Sequence, residues 1–506
     1  MKRMWPFIRF GSLGVMATAV IGALQGCDYR EATIGLLALI ALLLAGGGGS
    51  GNTTPESIQV TMIQDEVNID GDVVSRLVTF DAVVESPENV NTYSWTFGDG
   101  GTDSGKTVTH RYVGTGSFEV TATVVRDDGE TTLTATLIIK DQVVLSSIGQ
   151  IQQTVLDRLQ LTNDRVVLPD IIEVGPGVVA IPYEGPDSDG FVATFSIDGN
   201  GNIGGSPIDV HEFNTSNATR SSIIQVGPGV YAIAYRGQNG DGFVTTVSID
   251  SSGNIGGNVD QRRFDNSSAE FPDIISVGSG MYAIGYEGPD DDGFLVTLGI
   301  SSTGIIDAIT DSFEFDTNRG QWVKLIEVGT GVFAVVYQGT GDDGIIKTLN
   351  ISGAGAIDTN VIDTLTYADQ GAQASVVNVS ADVYAIAYQS TGNDGTVSTV
   401  SIGSTGNIGG GAIDNLIFET GLAQALSLVD VGGGVFVVAY NNGGNGFITS
   451  FGIDNAGNVT NSVLDKFLFE AGGAFTMQMI QLASDVLAIA HSNPFPNGFL
   501  STVKMK

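Results

Sequence analysis

The sequence predicts an all-β chain, and three observations carry that reading. The first is a hexapeptide that returns seven times: VVAIPY at 178, VYAIAY at 230, MYAIGY at 281, VFAVVY at 332, VYAIAY at 383, VFVVAY at 435 and VLAIAH at 486. Its last residues, Tyr183, Tyr235, Tyr286, Tyr337, Tyr388, Tyr440 and His491, stand 51 or 52 residues apart. The second is an Asp that keeps the same period at 157, 209, 260, 311, 363, 414 and 465. The third is 70 Gly among 506 residues, a supply of tight turns rather than of helices. A period near fifty filled with strand-like segments is the mark of a blade array, a β-propeller.

Each repeat reads as four strands. Strand a is IIEV, IIQV or IISV, followed by a Gly turn such as GPG. Strand b is the hexapeptide. A D-G or N-G step, as in PDSDG and QNGDG, predicts a two-residue hairpin into strand c, for example FVATFSID. Strand d carries the periodic Asp. The first Asp copy, in LDRLQL at 156–161, precedes the first strand a, and FLSTVKMK ends the chain with no strand d after it. The counts balance if the N-terminal d strand completes the last blade, which predicts a seven-bladed propeller of four-stranded blades over 143–506 with no open edge.

Side chains alternate faces along a strand, so Tyr231, Ile233 and Tyr235 share one face and Val230, Ala232 and Ala234 the other. Adjacent blades pack face to face, and a bulky face must meet a small one to reach interior density. The hexapeptide recurs because every blade needs that contact. The Asp ring is expected to accept hydrogen bonds from neighbouring turn amides. Pro182 has no N–H to give in a middle strand and predicts a bulge in the first blade.

Upstream, residues 57–141 alternate apolar and polar over short runs split by Gly and Asp turns, which reads as an antiparallel β-sandwich. Within it stand Trp95-Thr96-Phe97-Gly98-Asp99-Gly100, then His110-Arg111-Tyr112, then Gly116-Ser117-Phe118 and Val120. This segment resembles the PKD family, whose pattern there is W-x-F-G-D-G, H-x-Y and G-x-[YF]-x-V. The resemblance implies an immunoglobulin-like spacer or adhesion module of a secreted protein, without catalytic residues. His110 is then a core or corner residue, since a lone His makes a poor metal site.

Residues 1–53 are a leader and linker. Basic residues and an apolar stretch run to Leu24-Gln25-Gly26-Cys27, which resembles a bacterial lipobox; a second apolar run fills 34–45 before GGGGSGNTTPE. Lipidation at Cys27, cleavage near Ala45 and a retained anchor all export the rest of the chain, to the cell surface, to a membrane attachment or to the medium. Cys27 is the single Cys, so the chain can form no disulfide within itself.

The formal net charge of −35 repels phosphate backbones, and no basic run offsets it, so nucleic acid is not an expected partner. GNGNIG at 199–204 matches a dinucleotide-binding spacing but leads into a strand, not a helix. Ser196-Ile197-Asp198 and Ser248-Ile249-Asp250 resemble part of a sialidase Asp-box, at the hairpin where that motif sits, with the rest of the motif missing. No nucleophile elbow or zinc spacing is visible, and no catalytic residue is assigned. No cofactor is implied. Asp290, Asp291 and Asp292 beside Asp342 and Asp343 could hold Ca²⁺ weakly through carboxylate oxygens.

If the strands alternate in direction, the b–c and d–a loops share one end of the ring. At that mouth stand the equivalent residues Leu168, Arg220, Phe271, Trp322, Gln373, Ala425 and Thr476, with Asp273 and Lys324 two residues past Phe271 and Trp322. Arg220, Phe271, Asp273, Trp322 and Lys324 are the candidate ligand site, a planar aromatic platform beside charged groups suited to an extracellular glycan or protein. The bland alternative is that they plug the channel. The expected function is an exported surface binding or adhesion protein, with a secreted polysaccharide lyase or glycosidase as the alternative; the sequence leaves the oligomeric state open.

Overall fold

The computed structural model describes residues 58–506 apart from 71–72, 85–89, 99, 114–117, 127–131, 140–148, 163–165, 167–168, 484 and 494–496. The leader readings, Cys27 among them, and Leu168 lie outside the described residues.

The first seven strands form two antiparallel sheets. One pairs Ile58–Asp70, Val73–Val84 and Thr107–Val113; the other orders Thr102–Ser104, Val90–Thr96, Phe118–Arg126 and Thr132–Ile139. A single buried cluster draws on both, with Val78, Phe80 and Ala82 against Trp95, Phe97, Val120 and Ala122. Trp95 is 1% exposed and its indole N–H donates to the Gly105 carbonyl at 2.8 Å, so its one polar atom is satisfied. His110 stacks on Phe97 with ring centres 3.9 Å apart, a packing role as the family resemblance implied.

From residue 151 onward the strands form seven four-stranded sheets, six of them built from four consecutive strands. The first runs Ile172–Gly175, Val178–Glu184, Gly190–Ser196 and Asp209–Asn214. The seventh joins Met477–Ala483, Val486–Ser492 and Gly498–Met505 to Ile151–Thr162, with Leu500 opposite Leu159 and Thr502 opposite Asp157. The N-terminal strand thus supplies the outer strand of the last sheet, as the repeat arithmetic required.

The hexapeptide packs bulky against small. Tyr231, Ile233 and Tyr235 meet Ala180, Val192 and Phe213 of the first sheet, while Val230, Ala232 and Ala234 meet Tyr282, Ile284 and Tyr286 of the third. Equivalent clusters join every consecutive pair of sheets. One more sets Val179, Ile181 and Tyr183 of the first sheet against Ala488 and Ala490 of the seventh, so the ring is closed.

The Asp residues pin neighbouring sheets together. One carboxylate oxygen of Asp157, Asp209, Asp260, Asp311, Asp363, Asp414 and Asp465 accepts the backbone N–H of Ile203, Ile255, Ile306, Ile357, Ile408, Val459 and Ile151 respectively, at 2.8–2.9 Å. The other oxygen accepts the N–H of the next residue in its own strand. A second ring, of hydroxyls, accompanies it: Thr194, Thr246, Thr297, Thr348, Thr399, Ser450 and Thr502 each donate to a turn carbonyl of the next sheet. Asp311→Ala should lower unfolding free energy by about 1–3 kcal/mol, because the Ile357 N–H then lacks its acceptor. Urea titration checks this, with the rim variant Asp189→Ala as a control expected to stay within about 0.5 kcal/mol of the parent.

Two local expectations need correction. Pro182 causes no bulge: Val178–Glu184 pairs with its third strand without a break, Pro182 opposite Val192. The inner strand absorbs the defect instead. It is four residues long, against nine in Thr219–Gly227, because Pro182 accepts the Asp170 N–H but has none to return. The D-G steps are not two-residue hairpins either. Five of the b–c loops hold a 3₁₀ turn, as at Pro186–Ser188, closed by the Gly185 N–H donating to Asp189 at 2.8 Å. The Gly after Asp opens strand c, where the ring of a strand-d aromatic lies against it; a Cβ on Gly242 would sit 2.3 Å from Phe264. The sixth sheet has the two-residue form, Gly443-Gly444 with φ +58° and +90° between Asn442 and Asn445.

Candidate functional site

The mouth is set by contacts between its two kinds of loop. A small residue ends six of the d–a loops, and its N–H donates to a carbonyl of the b–c loop: Ala218 to Ser188, Ala269 to Gly240, Gly320 to Asp291, Gly371 to Asp342, Ala423 to Asn393 and Ala474 to Gly444, at 2.7–3.1 Å. The two loop families therefore do share one end of the ring.

Directly after this lock the inner strand bulges. Between Thr219 and Ser222 it advances three residues while its partner moves two, from Arg236 to Ala234, and the same slip recurs in the third to sixth sheets. The extra residue is left-handed in each: Arg220 (φ +56°), Phe271 (+48°), Trp322 (+54°), Gln373 (+53°) and Ala425 (+54°). Glycine is the usual occupant of such a bulge. Side chains here carry backbone strain on the order of 1 kcal/mol each, held by the surrounding sheets. The bulge turns them inward.

Arg220, Phe271 and Trp322 form one stack across three sheets. The Arg220 guanidinium carbon lies 3.9 Å from the Phe271 ring centre, and the Phe271 and Trp322 ring centres are 3.6 Å apart at 35°. Glu270 anchors the stack by accepting a hydrogen bond from Arg220 and forming an ion pair, at 2.5 Å, with Arg236. Burial pulls the Arg220 pKa down, against the pull of Glu270. Beyond Trp322, the Gln373 side-chain oxygen accepts the Ala425 N–H at 2.6 Å.

Below the stack lie the paired charges. Lys324 Nζ meets Asp273 Oδ1 at 2.9 Å, and Asp273 Oδ2 accepts the Leu325 N–H at 2.8 Å. Burial lowers the Lys324 pKa, but the charge and hydrogen bond of Asp273 with the charge of Asp170 outweigh it and the net shift is upward. Burial pushes Asp170 up to about 6, although its oxygens accept the N–H groups of Ile223 (3.0 Å) and Ile171 (2.8 Å). On the rim, burial raises Glu287 to about 7 despite the hydrogen bond donated by Gln321 at 3.1 Å.

The Arg220–Phe271–Trp322 stack and the Lys324, Asp273 and Asp170 group line one cavity of about 340 Å³ at the centre of the ring, to which all seven sheets contribute. Arg220, Phe271, Asp273, Trp322 and Lys324, the five residues singled out from the repeat, all line it. So do Asp170 and Phe475, which repeat reasoning passed over. Asp170 stands one repeat before Ser222 and two before Asp273, a signal present in the periodicity. Phe475 occupies the place of Glu270 and Gln321 and shares no residue type with them, so nothing marked it.

The carboxylates in the cavity are structural in geometry. Ser375 and Ser427 take the places of Asp170 and Asp273 in later sheets and accept the Leu428 and Met479 N–H groups in the same way, at 3.0 Å. On the acidic rim, Asp342 accepts from Arg319 and Gln338. Among the described residues no three His, Cys, Asp or Glu converge to hold a metal ion. Asp198 and Asp250, the partial Asp-box residues, close their own turns onto Asn202 and Asn254. A wider cavity of about 950 Å³ opens at the other end, between the third and fourth sheets, with Glu327 and Asp358 on its walls.

The PKD domain family matches residues 65–140, within the first seven strands. PKD domains are typical of extracellular proteins, and among the described residues no helix is long and apolar enough to cross a membrane. No curated protein matches the chain. Among solved structures it is similar to the WD40 domain of Toxoplasma gondii coronin, at 8% identity and TM-score 0.48 over 70% of this chain and 87% of that one. It is also similar to Sqt1 from Chaetomium thermophilum, at 14% and 0.43 over 68% and 83%. A Dyadobacter fermentans protein of unknown function gives 10% and 0.42 over 70% and 99%. The chain is an all-β protein in which a PKD-like segment precedes a propeller-like ring of four-stranded sheets.

Proposed function

We propose that this chain is an exported, non-catalytic binding protein of the cell surface. In this reading the seven sheets are the blades of a propeller that presents a ligand site at its mouth. The PKD-like domain is a spacer, and the leader, through Cys27 or its apolar run, is the attachment. The observation that carries the reading is the stack of Arg220, Phe271 and Trp322 in left-handed backbone beside the central cavity. A plug needs no strained aromatic, since Ala425 closes the same bulge with a methyl group. The enzymatic alternative would draw on Asp170 and Asp273, the cavity's two carboxylates. Both give oxygens to backbone N–H groups, an arrangement that supports a stapling role over proton transfer.

Trp322→Ala separates binding from plugging. Trp322 is half-buried and stands outside the clusters that join the sheets. The variant should melt close to the parent while retention on cell-envelope and glycan arrays weakens by about 1–3 kcal/mol, the worth of a buried contact side chain. Intact retention with a lowered melting temperature would mean that the stack is a plug.

A further inference from the structure

Resting on that reading of the mouth, we infer that its ligand is a neutral sugar ring, clamped between two aromatic walls. One wall is the Phe271–Trp322 pair on the third and fourth sheets. The other is Phe475, at the start of the seventh sheet's inner strand. In a closed ring of seven, the seventh sheet stands across the cavity from the third and fourth. Phe475 is 47% exposed, an apolar ring left uncovered on a chain of net charge −35. The neighbouring sixth sheet has the short Gly443-Gly444 hairpin where five other sheets have a 3₁₀ loop, and the Phe475 ring reaches Gly444. A flat molecule with two apolar faces fits between such walls.

Charge decides what kind of flat molecule. The charged side chains of the lining are Asp170, Asp273, Arg220 and Lys324, with Asp273 paired to Lys324, so the cavity already neutralises its own charges. An added anion would meet Asp170 and Asp273. An added cation would meet Lys324 and Arg220, and one face of Phe271 is already covered by a guanidinium. A neutral ligand suffers neither repulsion. Around the aromatic walls the lining is hydroxyl and amide, with Ser221, Ser222, Gln373, Gln424 and Gln478. Those groups can donate to and accept from ring hydroxyls, whose edge-on polarity and C–H faces belong to a pyranose.

Trp322 reports on this site. The chain's other tryptophans are Trp5 and Trp95, the latter buried in the first domain, so the emission lost in Trp322→Phe isolates the mouth. The full-length protein is titrated with cellohexaose, maltohexaose, chitohexaose, oligogalacturonate, tetramethylammonium and a neutral Phe-rich peptide. At least one neutral oligosaccharide should shift the Trp322 signal to saturation, with binding weakened tenfold or more in Phe475→Ala and in Trp322→Ala, each measured by calorimetry. Saturation by the galacturonate, the ammonium or the peptide alone overturns the neutral-sugar assignment and leaves the mouth as the site. No saturation by any probe also overturns the sugar assignment, while the retention assay on Trp322→Ala judges the binding reading separately. Neutral-sugar binding that both alanine variants retain overturns the mouth itself.

Discussion

Deleting residues 151–162 should abolish the cooperative melting of the ring, or drive it to aggregate. The strand they form buries Ile151 and Leu161, 0% and 4% exposed, in the clusters on either side of the seventh sheet. Two such side chains are worth about 3–6 kcal/mol together. The Ile151 N–H that binds Asp465 and the Asp157 carboxylate that binds Ile203 go with them, so the seventh sheet loses a staple to each neighbour. The sum is comparable to the whole stability of an ordinary domain, about 5–15 kcal/mol. The loss also uncovers Gly498–Met505 as a long, apolar edge. Calorimetry should show the first domain's transition surviving and the ring's gone. A ring that melts within a few degrees of the parent would show that the closure contributes little. Supplying residues 151–162 as a separate peptide should restore part of the transition, because the contacts and not the chain connection carry the effect.

The ring was legible because its contacts repeat with the chain. Tyr235 on Ala180, Asp209 to Ile255 and the closing strand each come from a position that recurs every 51 or 52 residues, and a repeated contact needs a repeated residue. The hydroxyl ring from Thr194 to Thr502 obeyed the same rule and was equally available. What stayed hidden lies where the backbone, not the side chain, does the repeating. The left-handed bulge is the same in five sheets, yet its occupants are Arg, Phe, Trp, Gln and Ala, because their surroundings impose the conformation and leave the side chain free. Pro182 misled for a related reason. The missing N–H could have been absorbed by either neighbouring strand, and only the pairing shows that the inner strand gave way.

The candidate site was legible in part by the inverse of that rule. Positions that break the repeat's chemistry without breaking its geometry are released from packing, and Arg220, Phe271 and Trp322 were found that way. Phe475 was missed because it sits one residue earlier in the repeat, and its ring reaches a loop in the neighbouring sheet. Asp170 was missed because a carboxylate facing a channel looks, in sequence, like any surface acid.

His491→Tyr should remove an acid sensitivity from the ring. His491 takes the place of the six Tyr residues, is 0% exposed, and its Nε2 contacts Ser501 at 3.0 Å, as Tyr235 contacts Thr245 at 3.1 Å. Burial, with the positive charge of Arg158, lowers its pKa to about 3. The unfolded chain therefore binds a proton near pH 6.5 that the folded chain refuses until about pH 3. The stability His491 permits is complete above pH 6.5 and declines as the pH falls below it, by about 1.4 kcal/mol per unit. At pH 4.5 the loss is about 2–3 kcal/mol. Asp170 and Glu287 act in the opposite sense, since carboxyls raised to about 6 and about 7 recover stability as they protonate on acidification. The parent's own pH curve mixes the two, so the quantity to measure is the difference between parent and variant. Urea unfolding at pH 7.5 and at pH 4.5 should show the variant gaining about 2–3 kcal/mol on the parent between the two conditions, whatever the larger ring does at neutral pH. Equal losses in both proteins would mean that His491 accepts its proton in the folded ring. The tyrosine of the other six sheets would then be no better suited to the position in acid than the histidine found there.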